Sequence, residues 1–101
     1  MVVRQRITQH QYIVSGSASD WLSQLGVRLS DNGFVDIVTD AVQVRASYLT
    51  SKIEGFVTVK PHDVNNGQCV LGVAVVGGFK RRRRSGKYPT RVIEAALKRT
   101  L

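Results

Sequence analysis

Between Phe34 and Val76 the apolar residues recur at every second position, where on either side they recur at every third or fourth, and no other feature limits the fold as tightly. A repeat of two sends successive side chains to opposite faces of an extended strand, so a segment that keeps it across several turns builds a sheet with one covered face. The clearest case is residues 42 to 49, where Val42, Val44, Ala46 and Tyr48 alternate with Gln43, Arg45 and Ser47. Strands over 34 to 39 and 53 to 60 bracket it, joined through Thr39-Asp40-Ala41 and Thr50-Ser51-Lys52, with Ile53, Gly55, Val57 and Val59 inward in the later one. The stretch PHDVNNG then breaks the pattern, and Asn66-Gly67 is a hairpin signal. Residues 68 to 76 are apolar on both faces, which suits a central strand.

Upstream, QRITQHQYIV at 5 to 14 is rich in residues that favour extended structure and reads as one strand. SGSAS follows with N-cap residues, and Trp21, Leu22, Leu25 and Leu29 fall on one stripe of a helix over 19 to 31 that Asp31, Asn32 and Gly33 end. Trp21 on that stripe reads as core rather than as a stacking platform. Downstream, Pro89 and Thr90 open a last helix with Val92, Ile93, Ala96, Leu97 and Leu101 along one side and an i, i+4 pair between Glu94 and Lys98.

Strand, helix, four strands, helix within 101 residues predicts an α+β fold: one domain over 1–101, an antiparallel sheet with both helices packed on one face. This order resembles the half-repeats of TATA-box-binding proteins and, enlarged, the helix-grip ligand-binding domains, although no sequence motif of either is present. The open face of such a sheet would carry Phe34, Asp36 and Val38, then Gln43, Arg45, Ser47 and Leu49, then Glu54, Phe56, Thr58 and Lys60. Arg45, Phe56 and Lys60 are the candidate partner contacts there, and a homodimer through that face is one reading of it.

Within this region Lys52-Ile53-Glu54-Gly55-Phe56-Val57-Thr58-Val59 resembles the RNA-recognition-motif signature at Lys52, Gly55, Phe56 and Val57. Glu54 stands where that family places a base-stacking aromatic, and the helix the family needs next is replaced by a turn and β-type residues. The likeness is read as chance.

No arrangement of residues points to catalysis. His10 and His62 have no cysteine or carboxylate at ligand spacing, so no metal and no cofactor are expected. Asp36 and Asp40 would stand about 13 Å apart along a strand, too far for an acid/base pair, and read as edge and turn residues. Gly72, Gly77 and Gly78 match neither dinucleotide nor P-loop spacing. Cys69 lies in the run CVLGVAVV and reads as a small core hydrophobe. The expectation is a protein that is not an enzyme.

Charge supplies the functional signal. The net charge is +8. Up to residue 79, six cations (Arg4, Arg6, Arg28, Arg45, Lys52, Lys60) balance six anions (Asp20, Asp31, Asp36, Asp40, Glu54, Asp63). Beyond it, Lys80, Arg81, Arg82, Arg83, Arg84, Lys87, Arg91, Lys98 and Arg99 face Glu94 alone, so a basic loop at 79–88 leading into the last helix carries the excess. Five consecutive cations repel one another, and the balanced body offers no matching acidic block. The expectation is a binding module that meets the phosphate backbone of nucleic acid, DNA or RNA, through those nine residues, without reading base sequence. Three alternatives use the same residues or fold: a protein-interaction or inhibitory module docking on an acidic partner protein, attraction to anionic lipid headgroups, and a helix-grip-like carrier of a small apolar ligand. No apolar run is long enough for a membrane helix, and MVVRQRITQHQ lacks the apolar stretch of a signal peptide, so an intracellular location is expected: cytoplasm, or nucleus in a eukaryote, where the basic run would also read as an import signal.

Overall fold

The computed structural model describes residues 4–8, 10–48, 54–76 and 90–101, with backbone alone at 4–8 and 90. In chain order these form β1 (Arg4–Thr8), β2 (Gln11–Ser15), α1 (Ala18–Asp31), β3 (Phe34–Thr39), β4 (Gln43–Tyr48), β5 (Glu54–Pro61), a single 3-10 turn (Val64–Asn66), β6 (Gln68–Val76) and α2 (Thr90–Arg99). The strands make one antiparallel sheet in the order β1-β2-β6-β5-β4-β3. Both helices contribute to one buried cluster on a single face of that sheet, so the α+β architecture is as the sequence predicts. β6 is central, between β2 and β5, which accounts for its apolar residues on both faces.

The first strand is corrected. Residues 5 to 14 fold as the hairpin β1-β2 rather than as one strand, with Arg6 opposite Tyr12 and Thr8 opposite Gln11. The stretch holds no glycine or proline to announce a turn, and its polar centre, Gln9-His10-Gln11, is the turn signal that remained. The His10 carbonyl accepts the Val73 N–H (2.9 Å), which fixes the hairpin to the central strand.

α1 begins where Ser17 turns extended and its hydroxyl accepts the Asp20 N–H at 3.1 Å, satisfying one of the orphan donors of the first turn. Trp21, Leu25 and Leu29 are buried along one stripe. At its end the Asn32 N–H donates to the Leu29 carbonyl (3.0 Å) and the Gly33 N–H to the Ser30 carbonyl (3.3 Å). The hairpin signalled by Asn66-Gly67 joins antiparallel β5 and β6: Asp63 caps a 3-10 turn, and Gly67 takes the left-handed conformation (φ 63°) that closes it. Hydrogen bonds from the Asn66 side chain and from its backbone N–H hold the Asp63 carboxyl below the usual carboxylate range.

β3 departs from strict alternation. Its pairing with β4 slips between Val35 and Val38, and Asp36 within the slip has φ 54°. The bulge resets the phase, so Phe34 faces the helices and is buried while Val35 and Val38 lie on the other side. Phe34 is therefore not an open-face residue, and Asp36 is exposed in the bulge itself, without a paired position on β4. Phe34 instead meets Tyr48 edge-to-face at 4.9 Å between ring centroids. Val42, read as inward, is exposed in the turn before β4, and Val92 is exposed on α2.

α2 lies on β5 and β6. Ile93, Ala96 and Leu97 are fully buried, and Leu97 rests directly on Gly55. A Cβ at position 55 would lie 2.9 Å and 3.0 Å from the two Leu97 methyl carbons and 3.1 Å from Cγ. Leu97 is itself fully buried, so Gly55→Ala is expected to lose about 1–3 kcal/mol through overpacking. The double variant Gly55→Ala/Leu97→Ala should then be less destabilised than the sum of its single changes in urea unfolding, and strict additivity would refute the contact.

Candidate functional site

The sequence-predicted cations fall into three groups. Lys80, Arg81, Arg82, Arg83, Arg84 and Lys87 lie outside the described residues. Arg91, Lys98 and Arg99 lie on α2, with Arg91 and Arg99 exposed and Lys98 half-buried. Seven residues are nearly two full turns, so Arg91 and Lys98 share one stripe about 10 Å apart along the axis. Exposed Ala95 lies between them and keeps that stripe low.

Arg45, Phe56 and Lys60 occupy the sheet face away from the helices. Arg45 stands directly opposite Phe56, and Phe56 directly opposite Ala74. Lys60 lies two rows from Phe56 on the same face, beyond Thr58, and stands opposite Val70. Among the described residues no helix or strand covers this face, which also exposes Val35, Val38 and Val76. The glycine in the recognition-motif likeness, Gly55, points the other way and serves the α2 contact, and its other conserved-type position, Phe56, is only half-buried among β-strand neighbours. The α2 cations and the Arg45–Phe56–Lys60 group thus occupy opposite sides of the sheet and cannot form one compact site.

On the helix side the structure assembles a cationic surface that the sequence did not reveal. The C-terminal ends of α1 and α2 converge, and Arg28 joins them: its Nη1 donates to the Thr100 carbonyl at 3.0 Å and its Nη2 to Gln24 Oε1 at 3.4 Å. The Arg28 guanidinium carbon also lies 4.7 Å from the centre of the Trp21 ring, a cation–π contact. Between these ends runs an open groove of about 850 Å³, lined by Tyr12 from β2, Arg28 and Asn32 from α1, and Ala95, Lys98, Arg99 and Leu101 from α2 and its end. No local signal marks this site. Arg28 is an ordinary last-turn cation by sequence, and only tertiary packing sets it 72 positions from its partner.

The carboxylates are distributed quite differently. The chain has seven, and all are described. Asp40 accepts the N–H groups of Val42 and Gln43 (both 2.9 Å), and Asp63 caps the 3-10 turn. Asp20 and Asp31 lie at opposite ends of α1, Asp36 in the β3 bulge and Glu54 on the open sheet face. Glu94 bonds His10 at the tip of the β1-β2 turn and lies 3.9 Å from Lys98, so the predicted helical pair is present and extended by a histidine. Among the described residues no three of the His, Cys, Asp and Glu side chains come together as a metal site.

Cys69 is buried within the core, and burial pushes its thiol pKa up. A thiol-specific reagent should therefore leave the native protein untouched and modify Cys69 only after denaturation; rapid modification under native conditions would contradict this placement. Among the described residues no helix is long and apolar enough to cross a membrane.

Comparison with known proteins adds no identity: no family model, no curated protein and no solved structure matches the chain.

Proposed function

We propose that this protein binds nucleic acid without catalysing a reaction, engaging the phosphate backbone through the basic segment Lys80–Arg84 with Lys87 and through the α2 cations Arg91, Lys98 and Arg99. One observation carries the reading. All seven carboxylates are scattered over separate elements, several already committed to caps and pairs, while the last 22 residues hold nine cations and one anion. A polycation with no acidic face of its own to rest on is stabilised by an external polyanion, and release of condensed counterions favours nucleic acid in that role. Exposed Arg91 and Arg99 extend the basic segment along α2. The filled contact between Leu97 and Gly55, with Ile93 and Ala96 fully buried, gives no support to the carrier alternative.

Fluorescence anisotropy with a labelled duplex and a labelled single strand, across a salt series, tests the proposal. Binding at low salt that weakens steeply as salt rises supports it. Failure to bind either probe at low salt, together with a stoichiometric protein complex that survives nuclease treatment in a pull-down, would transfer the basic segment to the acidic-partner alternative.

A further inference from the structure

We infer that the sheet face away from the helices is covered by a second copy of this chain, turned so that Glu54 of each copy meets Lys60 of the other, an arrangement independent of the nucleic-acid reading. The strand pairing lays this face out as four rows that run across the sheet. At one end Ile13, Val70 and Lys60 stand side by side. At the other end the row is Val76, Glu54, Ser47 and Val35. Between them lie a row with Gly72 and Thr58 and a row with Ala74, Phe56, Arg45 and Val38. The carboxylate and the ammonium of β5 thus sit at opposite ends of the face, with Phe56 and Thr58 between them.

Two identical faces that cover each other are related by a two-fold axis, which in aligned sheet packing runs between the sheets either along the strands or across them. An axis along the strands sets each row against its own copy, so the Lys60 rows meet, the Glu54 rows meet, and like charges gather at both ends. An axis across the strands, passing between the two inner rows, turns β5 end for end against its copy. Glu54 then meets Lys60 twice, once at each end, and Val70 meets Val76. Phe56 comes over Thr58 beside Gly72, which has no side chain to obstruct the ring. Only this second arrangement makes the face complementary to itself.

The size and surface of the face fit the same occupant. Five strands at about 4.8 Å and four rows at about 6.8 Å give about 650 Å² in plan, and side-chain relief brings this near the roughly 800 Å² that each partner contributes to a standard interface. Val35, Val38 and Val76 are exposed on it by 43%, 47% and 57%. Glu54 on the face tells against a polyanion as its occupant.

Sedimentation equilibrium of protein freed of nucleic acid tests the inference, with circular dichroism and thermal melting to confirm that each variant is folded. At tens of micromolar the unaltered protein is expected at twice the 11.2 kDa chain mass. E54K and K60E should each weaken the dimer at least about tenfold, since each sets two pairs of like charges together although the two shift net charge in opposite directions. E54K/K60E should return to within about threefold of the unaltered protein. A74R, at an exposed position of an inner row, should give a folded monomer. A monomeric unaltered protein at these concentrations would overturn the inference and leave the face to another segment or partner. A dimer that tolerates the single reversals, or that the double exchange does not restore, would overturn it as well. None of these outcomes bears on the nucleic-acid reading, which the salt series tests separately.

Discussion

Trp21→Ala is expected to destabilise the domain by about 3–5 kcal/mol, the largest effect of any single side chain on the fold. The indole is 1% exposed, and it is the largest of the fully buried side chains. Its Nε1–H donates to the Ser15 carbonyl at 2.7 Å, which ties the start of α1 to the end of β2. Its ring also supports Arg28, which in turn bonds the Thr100 carbonyl at the end of α2. Truncation therefore opens a cavity and strands a carbonyl, and it loosens the link between the two helix ends. A domain of this size has about 5–15 kcal/mol of stability in all, so the variant should lie near its unfolding threshold at room temperature. Trp21→Phe keeps most of the apolar volume and loses the hydrogen bond, and it should cost about 1–3 kcal/mol. Both are measured by urea unfolding followed by circular dichroism, since the change removes the only tryptophan. A loss below about 1 kcal/mol for Trp21→Ala would contradict the core role assigned to this ring.

The second large effect is on binding. Replacing Arg81, Arg82, Arg83 and Arg84 together by serine removes four of the cations proposed to neutralise phosphates. Each neutralised phosphate contributes about 0.9 to the slope of log affinity against log salt on B-DNA and about 0.7 on a single strand. Four of them amount to roughly a thousandfold in affinity for duplex at about 0.15 M salt. The fold should be unaffected, because the core residues lie elsewhere in the chain: Ile93, Ala96 and Leu97 on α2, Trp21, Leu25 and Leu29 on α1, and the inward positions of the sheet. Unchanged melting together with lost binding separates a contact role from a structural one.

Much of this architecture was legible in the sequence because it rests on periodicity. The stripe of Trp21, Leu25 and Leu29, the inward set Val44, Ala46, Gly55, Val57 and Val59, and the two-sided apolar strand from 68 to 76 all follow from spacing alone, and all are buried or central as expected. Spacing failed where the chain changes phase without a breaker residue. At β1-β2 the turn is made by polar residues, without glycine or proline. At β3 an aspartate, not a glycine, takes the positive φ that shifts Phe34 onto the core side. The candidate site divides in the same way. The charge excess after residue 79 and the exposure of Arg91 and Arg99 could be read directly, since like charges in series need no tertiary information. The meeting of Arg28 with the Thr100 carbonyl, and the backbone register of β1 on β2, depend on how α1 crosses to α2 and how β1 folds back. No local pattern encodes either.

The central claim, that the cations beyond residue 79 meet phosphate, is tested most directly by the salt dependence of binding to a labelled duplex, measured side by side for the unaltered protein and for R81S/R82S/R83S/R84S. The account predicts a steep slope for the first and a slope shallower by about 3–4 for the second. Identical slopes, or no binding by the unaltered protein at low salt, would contradict it.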